Sequence, residues 1–332
     1  IGIVIGADYP IATSMITEFS NTRQRAFSIG FIAAMWYVGA TCADLVGYWL
    51  YDVEGGWRWM LGSAVIPCIL ILIGRFDLPE SPRWLLRKGR VKECEAMMIK
   101  LFGEPVVFDE EAPQETRFLQ LFNRRHFPFV LFVAAIWTCQ VIPMFAIYTF
   151  GPQIVGLLGL GAGKSAALGN VVISLCFMLG CIPPMFWLNS AGRRPLLIGS
   201  FIMMTLALAV LGLIPDMGAW LVVLAFAVYA FFSGGPGNLQ WLYPNELFAT
   251  DIRASAVGVI MSLSRIGTIV STWALPVFIT KYGISNVMLM GAGISLIGLL
   301  VSIAFAPETR GLTLAQTSQM TIRSKPVTRA GY

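Results

Sequence analysis

The chain has 332 residues, of which 57% are hydrophobic and only 12% charged, whereas about 25% of the residues in an ordinary soluble domain are charged. Its mean hydropathy is +0.73. Its 22 Phe and 10 Trp exceed what one water-soluble core can bury, because such cores stop growing at roughly 250–300 residues. This composition excludes a soluble enzyme and indicates a membrane protein.

The charged and metal-binding residues exclude two further classes of protein. The net charge is +5, but the basic residues lie between apolar runs rather than along one polar face, so we expect no nucleic-acid partner. His126 is the sole histidine, which excludes a multi-histidine metal centre, and the six cysteines form no CxxC pair. We therefore predict no metal, no cofactor and no enzymatic activity, since a membrane-embedded enzyme would need clustered His, Ser or carboxylate side chains.

Long apolar runs, taken in chain order, predict nine membrane-spanning helices, because a helix needs about 20 mainly apolar residues to cross a bilayer. They cover residues 1–18, 27–50, 57–76, 127–155, 165–188, 195–214, 219–243, 255–280 and 285–306. The polar residues 77–126 are predicted to form a linker with short amphipathic helices, since Ser81-Pro82 is a typical helix start. The chain is therefore predicted to be an all-α polytopic membrane protein.

The basic residues are divided unequally between the two sides of the predicted membrane. Alternating spans place Arg58, Lys164 and Lys281 on one side and nearly all other Lys and Arg residues on the side of the linker. By the positive-inside rule, the linker side is cytoplasmic. We expect a multi-pass protein of the cell membrane, either a plasma membrane or a bacterial inner membrane, with the linker and the C-terminus in the cytoplasm.

An internal repeat organises the chain. Residues of one segment recur in a later segment at one constant offset, and the matching pairs are Glu18 with Glu246, Arg25 with Arg253, Ala26 with Ala254, Gly30 with Gly258, and Pro79-Glu80 with Pro307-Glu308. Such a repeat indicates a duplicated multi-helix unit. It also predicts three more helices in about a hundred residues before Ile1, so we expect an N-terminally truncated protein with nine of twelve transmembrane helices.

The repeat divides the predicted helices into two related halves. Residues 1–76 are expected to be helices four to six of the N-terminal half, and residues 127–306 the C-terminal six-helix half. Residues 77–126 connect the halves, and residues 307–332 form a cytoplasmic tail.

Several charged motifs at the predicted cytoplasmic helix ends carry a family resemblance. They are Glu18 to Arg25, Pro79 to Leu85, Gly192-Arg193-Arg194, Glu246-Leu247-Phe248 with Arg253, and Pro307 to Gly311. With these motifs the chain resembles the major facilitator superfamily, and within it the sugar-porter group. The resemblance implies a secondary transporter that moves a small molecule together with protons by alternating access. It also implies that the monomer is functional.

The same motifs are typical of a gate, because acidic and basic side chains at neighbouring helix ends can pair in one conformation and separate in another. The candidate gate residues are Glu18, Arg25, Glu80, Arg193, Arg194, Glu246, Arg253 and Glu308. The alternative interpretation is that they anchor the helices at the level of the lipid headgroups and orient the protein.

The candidate substrate site departs from the sugar-porter pattern. Ala33-Ala34 replaces a Gln-Leu pair of that group, Ser264-Arg265 replaces an Asn-Trp pair, and of the polar residues of the seventh helix only Gln140 is kept. Trp241 of the tenth helix is also kept. A site that hydrogen-bonds sugar hydroxyls binds poorly without its polar partners, so an ordinary hexose is disfavoured.

Two charges are predicted near the bilayer midplane instead. Arg265 lies roughly 18 Å from the marker Arg253, and Asp8 roughly 15 Å from Glu18, at 1.5 Å per helical residue. Charges at that depth usually mark a substrate or proton path. The segment around Asp8 is similar to a motif of phosphate:proton symporters, which implies that Asp8 helps to bind both the substrate ion and the coupling proton. Arg265-Ile266-Gly267 resembles a segment of organic-anion and aromatic-acid transporters, which implies that Arg265 binds the anionic group.

The predicted site has further candidates and open alternatives. Asp44 is a second candidate proton site, and Tyr9, Trp137 and Trp241 are candidate substrate-binding aromatics. Asp8 and Arg265 could instead form a structural pair. The predicted function is proton-coupled transport of a small organic anion; the alternatives are a sugar or polyol:proton symporter that uses Gln140 and Trp241, and a nutrient sensor that binds without transporting.

Overall fold

The computed structural model describes residues 12, 16, 25–76, 80, 85, 88–102, 118–157, 163–214, 218–248, 250–310 and 317. The helices whose bounds it defines are α1 (Arg25–Trp49), α2 (Gly56–Ser63), α3 (Val65–Arg75), α4 (Val91–Phe102), α5 (Phe127–Leu157), α6 (Lys164–Ala191), α7 (Arg193–Leu213), α8 (Ala219–Leu247) and α9 (Thr250–Phe305). A short 3-10 helix, Phe118–Phe122, precedes α5.

Within these residues, seven helical stretches are long and apolar enough to cross a membrane. One of them joins α2 and α3, which meet at Ala64. Another is α9, whose apolar stretch of 54 residues is long enough for two crossings. The predicted all-helical, multi-span architecture is thus confirmed, while the predicted span 1–18 lies outside the described residues except for positions 12 and 16.

The last two predicted helices are connected more tightly than the sequence indicated. The prediction places a connection at residues 281–284, but α9 is interrupted only at Gly283, with φ 78° and ψ 164°. A side chain with a Cβ atom is strained at that positive φ, so glycine lets the chain turn within one residue. Residues 250–282 and 284–305 therefore form two limbs of α9.

The helix ends define two faces of the molecule. We call the face that contains Arg75, Phe127, Arg193 and Phe305 the linker face, and the face that contains Trp49, Lys164, Leu213 and Gly283 the far face. Successive helices run alternately between these faces. The linker contains α4, which buries Cys94 and Met98 against Leu85, and an exposed ion pair of 2.5 Å between Arg90 and Glu93 that lowers the pKa of the Glu93 carboxyl.

The main core lies among α5, α6, α7, α8 and α9, where the large side chains Trp137, Phe177, Phe201 and Tyr229 are almost fully buried. Helix α1 joins this unit by packing along α6 in the antiparallel direction. Its ring of Phe27 lies 5.7 Å from Phe186 near the linker face. These contacts hold α1 against the later helices along most of its length. By contrast, most side chains of α2 and α3 are exposed, as expected for lipid-facing helices.

Helices α6 and α8 approach each other closely at two glycines. A Cβ atom on Gly180 would overlap the backbone of Phe231, and a Cβ atom on Gly234 would overlap the backbone of Gly180. Small residues at such crossings let helix backbones pack at short range in membranes, where dispersion contacts replace the hydrophobic effect as the source of association.

We predict that Gly180→Ala and Gly234→Ala each destabilise the protein by about 1–3 kcal/mol, because the added methyl group forces two backbones apart. The measurement is the Tm of the protein purified in detergent. Gly199→Ala in α7 is the matched control, since nothing lies within 4 Å of its Cβ position and alanine favours a helix. An unchanged Tm in Gly180→Ala and Gly234→Ala would contradict this account of the α6–α8 crossing.

Candidate functional site

A small chamber lies near the mid-depth of the helices, between α1, α5, α8 and α9. Its described lining residues are Ala33, Trp36 and Tyr37 of α1, Trp137, Val141, Met144 and Phe145 of α5, Gly237, Gln240 and Trp241 of α8, and Arg265 of α9. We call this the central chamber. It holds about 30 Å³ of free space, which is room for about two water molecules. The walls must therefore move before a solute larger than water can enter.

Arg265 supplies the charge of the central chamber. It lies about four turns into α9, and its guanidinium carbon is 5.0 Å from the ring centroid of Phe145. Guanidinium groups are weakly hydrated and stack well on aromatic rings, so this contact holds the side chain in place while it stays ionised. Its planar set of donors matches the two oxygens of a carboxylate.

Aromatic rings form much of the chamber wall. Trp137 and Trp241 meet edge to face with ring centroids 4.7 Å apart, and Trp36 makes similar contacts with Phe145 at 6.2 Å and Tyr148 at 5.7 Å. Each pair adds favourable quadrupole interactions to the burial of its rings. The structure therefore brings three sequence-predicted residues, Arg265, Trp137 and Trp241, to one chamber.

The other predicted substrate-binding residues lie elsewhere. Gln140 is fully buried behind the wall, where its Nε2 donates to Ser233 Oγ at 2.9 Å. It is absent from the described lining of the central chamber. Asp8 and Tyr9 lie outside the described residues, so the predicted pairing of Asp8 with Arg265 stays a prediction.

The predicted set of substrate-binding residues leaves out several residues of the chamber, although part of the signal for them is present in the sequence. Ala33, Trp36 and Tyr37 have the i, i+3, i+4 spacing of one helical face, so the two rings are expected on the same side of α1 as Ala33. Gln240 directly precedes Trp241. The contact of Phe145 with Arg265 depends on how α5 packs against α9.

Asp44, the second predicted proton site, lies between α1 and α6 on the far-face side of the chamber. Its carboxylate is half-buried and accepts hydrogen bonds from Ser174 and from Asn170 Nδ2, the latter at 3.1 Å. Nearer the far face, Lys164 Nζ pairs with Asp52 at 2.5 Å and lies 5.4 Å from the ring centroid of Tyr48. Polar contacts thus connect α1, and the loop that follows it, to α6 at two levels on the far-face side of the chamber.

The linker face carries a second polar cluster. Arg193 Nη2 donates to Glu246 Oε1 at 3.0 Å, and both side chains are buried. Glu308 accepts the backbone N–H groups of Arg193 at 3.0 Å and Arg194 at 3.1 Å. The carboxylate of Glu308 thereby satisfies free donors at the start of α7 and interacts favourably with the helix dipole.

Thr309 Oγ1 donates to Glu246 Oε2 at 2.5 Å, which satisfies the second oxygen of that carboxylate. The structure describes the other predicted gate residues only in part. Arg253 is buried, whereas Glu80 is exposed. Glu18 and the side chain of Arg25 lie outside the described residues. The structure thus joins Arg193, Arg194, Glu246 and Glu308 across the ends of α7, α8 and α9, and a gating role for them remains a prediction.

We predict that Glu246→Gln destabilises the protein by about 3–5 kcal/mol, because it leaves the buried guanidinium of Arg193 without a counter-charge. The Tm in detergent is the measurement, and Glu80→Gln, an exposed carboxylate of the linker, is the control. The double variant Arg193→Met/Glu246→Met removes both charges and should recover much of the loss. A Tm for Glu246→Gln equal to that of Glu80→Gln would show that the ion pair contributes little.

Comparisons with known proteins agree with this architecture. The family model described as "Sugar (and other) transporter" matches residues 1–321. The chain is 90% identical over 325 residues to the putative metabolite transport protein YaaU of Escherichia coli strain K12, a match that covers 98% of this chain and 73% of that protein. It is 33% identical over 317 residues to the inner membrane metabolite transport protein YgcS of the same strain, covering 95% of this chain and 70% of that protein.

A solved structure supports the fold independently. The proton:xylose symporter XylE bound to 6-bromo-6-deoxy-D-glucose matches with a TM-score of 0.76 at 19% sequence identity, over 92% of this chain and 69% of that chain; XylE is from E. coli. At that identity the match shows the fold alone, which is that of the major facilitator superfamily. The matched family consists of multi-pass membrane transporters and not of enzymes. The chain belongs to the sugar (and other) transporter family of the major facilitator superfamily.

Proposed function

We propose that the protein transports a small organic anion across the cell membrane by alternating access, coupled to protons. The observation that carries this proposal is the position of Arg265, whose guanidinium lines the central chamber between α1 of the first half and α5, α8 and α9 of the second. An ionised side chain at mid-depth costs about 2.5–3.5 kcal/mol on membrane-insertion scales. Such a cost is tolerated where the charge serves binding.

The surroundings of Arg265 favour an anion over a neutral solute. The guanidinium lies over Phe145 and is flanked by Trp137 and Trp241. Because Arg265 is only partly exposed, its attraction for a carboxylate is stronger than it would be at a fully exposed surface. The cation also stays charged at any physiological pH, so it attracts the substrate in every step of the cycle.

Protons are proposed to act at Asp8, outside the described residues, and at Asp44. An ionised Asp44 accepts hydrogen bonds from both Ser174 and Asn170 of α6. A protonated carboxyl group becomes a donor at one oxygen, so it cannot keep both bonds in the same form. Among the described residues, Tyr148 of α5 also interacts electrostatically with Asp44. Proton binding at Asp44 would therefore change how α1 is held to α6, which is the type of coupling that symport needs.

The two polar clusters suit alternating access. When the chamber opens toward the far face, the α1–α6 contacts made by Asp44, Asp52 and Lys164 must separate. The cluster around Glu246 lies at the opposite end and is proposed to respond when the chamber opens toward the linker face. The unequal distribution of basic residues supports a cytoplasmic linker face, and we propose that the monomer is the working unit, with the lipid bilayer as its surroundings.

A sugar or polyol:proton symporter is the second candidate. It is supported by the retained Gln140 and Trp241 and by the structural similarity to a proton:xylose symporter. The side-chain contacts weigh against it, because Gln140 is occupied by Ser233 behind the chamber wall and Ala33 offers no hydrogen bond. A non-transporting sensor would bind the ligand without exchanging it across a membrane, and counterflow exchange separates that case from both transporters.

We predict that Arg265→Ala lowers the uptake of organic anions at least about tenfold, because the carboxylate loses its charge-assisted hydrogen bonds. Arg265→Lys should keep part of the activity, since it preserves the charge but not the planar set of donors. The measurement is counterflow of a panel of radiolabelled carboxylates into proteoliposomes that contain the full-length protein.

Arg58→Ala is the control for this series, because Arg58 is an exposed arginine near the far face and lies outside the described lining of the chamber. Its uptake should equal that of the wild type. If Arg265→Ala transports every carboxylate of the panel as well as the wild type does, the anion-binding role of Arg265 is wrong. Saturable uptake of sugars that is insensitive to Arg265→Ala would favour the sugar symporter.

We also predict that Asp44→Asn abolishes substrate-driven proton uptake while counterflow exchange persists, because an asparagine side chain binds no proton in this pH range. The measurement is the signal of a pH indicator inside proteoliposomes after substrate is added outside. Glu54→Gln, an exposed carboxylate of the far-face loop, is the control and should keep the proton signal. Proton uptake by Asp44→Asn at the wild-type ratio to substrate would remove Asp44 from the coupling proposal.

A further inference from the structure

The hydroxyl group of Tyr148, on α5, lies beside the candidate proton site Asp44. Its Oη atom is buried and has no hydrogen-bond partner among the described residues, which is rare for a polar atom in a native protein. The polar neighbours of this hydroxyl group include Ser174 of α6 and Asp44 of α1. Tyr148 therefore approaches the carboxylate from a third helix, and a small movement would allow it to form a hydrogen bond there.

The hydrogen bonds at Asp44 in this structure suit the ionised carboxylate. Ser174 donates to Oδ2, and Asn170 Nδ2 donates to Oδ1 at 3.1 Å. A serine hydroxyl carries a single hydrogen, so Ser174 has none left to donate while it binds the carboxylate. The unpartnered Oη atom of Tyr148 agrees with this state.

Proton binding would reverse one of these hydrogen bonds. A protonated carboxyl group donates through the oxygen that carries the hydrogen, and its partner at that oxygen must accept. The Nδ2 group that Asn170 presents can only donate, whereas the hydroxyl group of Ser174 can donate or accept, so the proton fits on Oδ2. Ser174 then accepts from Asp44, and its own hydrogen becomes free for the neighbouring Oη atom of Tyr148.

We propose that Ser174 and Tyr148 couple proton binding at Asp44 to the central chamber. When Asp44 binds a proton, Ser174 accepts a hydrogen bond from it and donates its own hydrogen to Oη of Tyr148. When the proton leaves, Ser174 donates to the carboxylate again and releases Tyr148. This inference rests on the proposed function, because it takes Asp44 as a proton site, and it adds Tyr148 as the positioning residue that responds to the proton.

Tyr148 packs directly against the wall of the central chamber. Its ring meets Trp36, a lining residue, edge to face with ring centroids 5.7 Å apart. Trp36 in turn lies 6.2 Å from Phe145, which also lines the chamber. A hydrogen bond that holds Tyr148 to Ser174 would therefore reposition the wall, because closely packed side chains move together. Proton binding and solute binding are then linked, since each changes the free energy of the other.

Other titratable or charged groups are arranged around Asp44 on the helices packed near it. They are Tyr48 one turn along α1, Lys164 of α6 with its partner Asp52, and Tyr229 of α8, which interacts electrostatically with Tyr148. All of them are kept when the hydroxyl group of Tyr148 alone is removed. A change in the titration of Asp44 in Tyr148→Phe therefore reports on that hydroxyl group.

The experiment follows the protonation of Asp44 directly and needs no substrate. The full-length protein in proteoliposomes is titrated from alkaline to acidic pH and recorded by infrared difference spectroscopy. The C=O stretching band of a protonated carboxyl group that is missing in Asp44→Asn belongs to Asp44. We expect a tyrosine ring band to change at the same midpoint as this band, and to be missing in Tyr148→Phe, because Tyr148 gains a hydrogen bond in the same step.

We expect Tyr148→Phe to move the midpoint of the Asp44 band down by about 0.5–1 pH unit, because it removes a hydrogen bond that only the protonated state makes. The variant keeps the aromatic ring, so its packing against Trp36 is preserved. Tyr229→Phe is the matched control, because it removes a buried, unpartnered hydroxyl group from the same aromatic cluster. Its midpoint should equal that of the wild type.

A double-mutant cycle tests whether Tyr148 acts through Ser174. In the background of Ser174→Ala, the further change Tyr148→Phe should leave the midpoint where it is, since the connecting hydroxyl group is already gone. The chamber is followed by tryptophan fluorescence, with Trp36→Phe used to assign the signal of Trp36. We expect that signal to change at the midpoint of the Asp44 band in the wild type, and its pH dependence to be lost in Tyr148→Phe.

The outcomes separate this inference from the proposed function. If Asp44→Asn lacks no carboxyl band of the wild type, Asp44 is not a proton site, and its proposed part in proton coupling is wrong together with this inference. If the Asp44 band titrates but Tyr148→Phe has the wild-type midpoint, only the role of Tyr148 is overturned.

Three further results would also overturn this inference alone. An upward shift in Tyr148→Phe would show that the hydroxyl group donates to the ionised carboxylate. A shift that persists in the background of Ser174→Ala would show that Tyr148 does not act through Ser174. A Trp36 signal in the wild type that does not follow the Asp44 band would show that the proton has no effect on the chamber wall.

Discussion

A guanidinium group at the mid-depth of a membrane protein needs neighbours that replace its lost hydration. In the central chamber, aromatic rings are among these neighbours. The ring of Phe145 lies against Arg265, and the two tryptophans that line the chamber meet each other edge to face. Aromatic faces stabilise a cation without neutralising it. The chamber thus holds a positive charge among aromatic rings at mid-depth.

Two clusters of polar contacts among the described residues lie on either side of this chamber. On the linker face, Glu246 and Glu308 satisfy a buried guanidinium and the start of α7. On the far-face side, Asp44 of α1 and Asp52 of the loop that follows α1 contact α6. In the alternating access proposed above, these far-face contacts are the ones that exchange during transport.

The chamber departs from the sugar-porter pattern while the helices that frame it keep the fold of the superfamily. Ala33 provides no polar side chain on the α1 wall, and Arg265 provides a charge on the α9 wall. In the anion transport proposed above, one charge-assisted contact takes the place of several neutral hydrogen bonds to a sugar.

The sequence by itself determined the membrane architecture, because apolar runs of about 20 residues can be satisfied only as spanning helices. It also identified Arg265, since a charge within such a run is rare enough to be informative, and it placed Glu246 and Arg193 at the same face through helix-end motifs. Only the tertiary structure decided which side chains meet. It placed Gln140 behind the wall and brought Phe145 over Arg265, because these relations depend on how helices far apart in the chain pack and rotate against one another. Periodicity assigns each residue to a helix face, but the neighbour of that face is set by packing between helices distant in sequence.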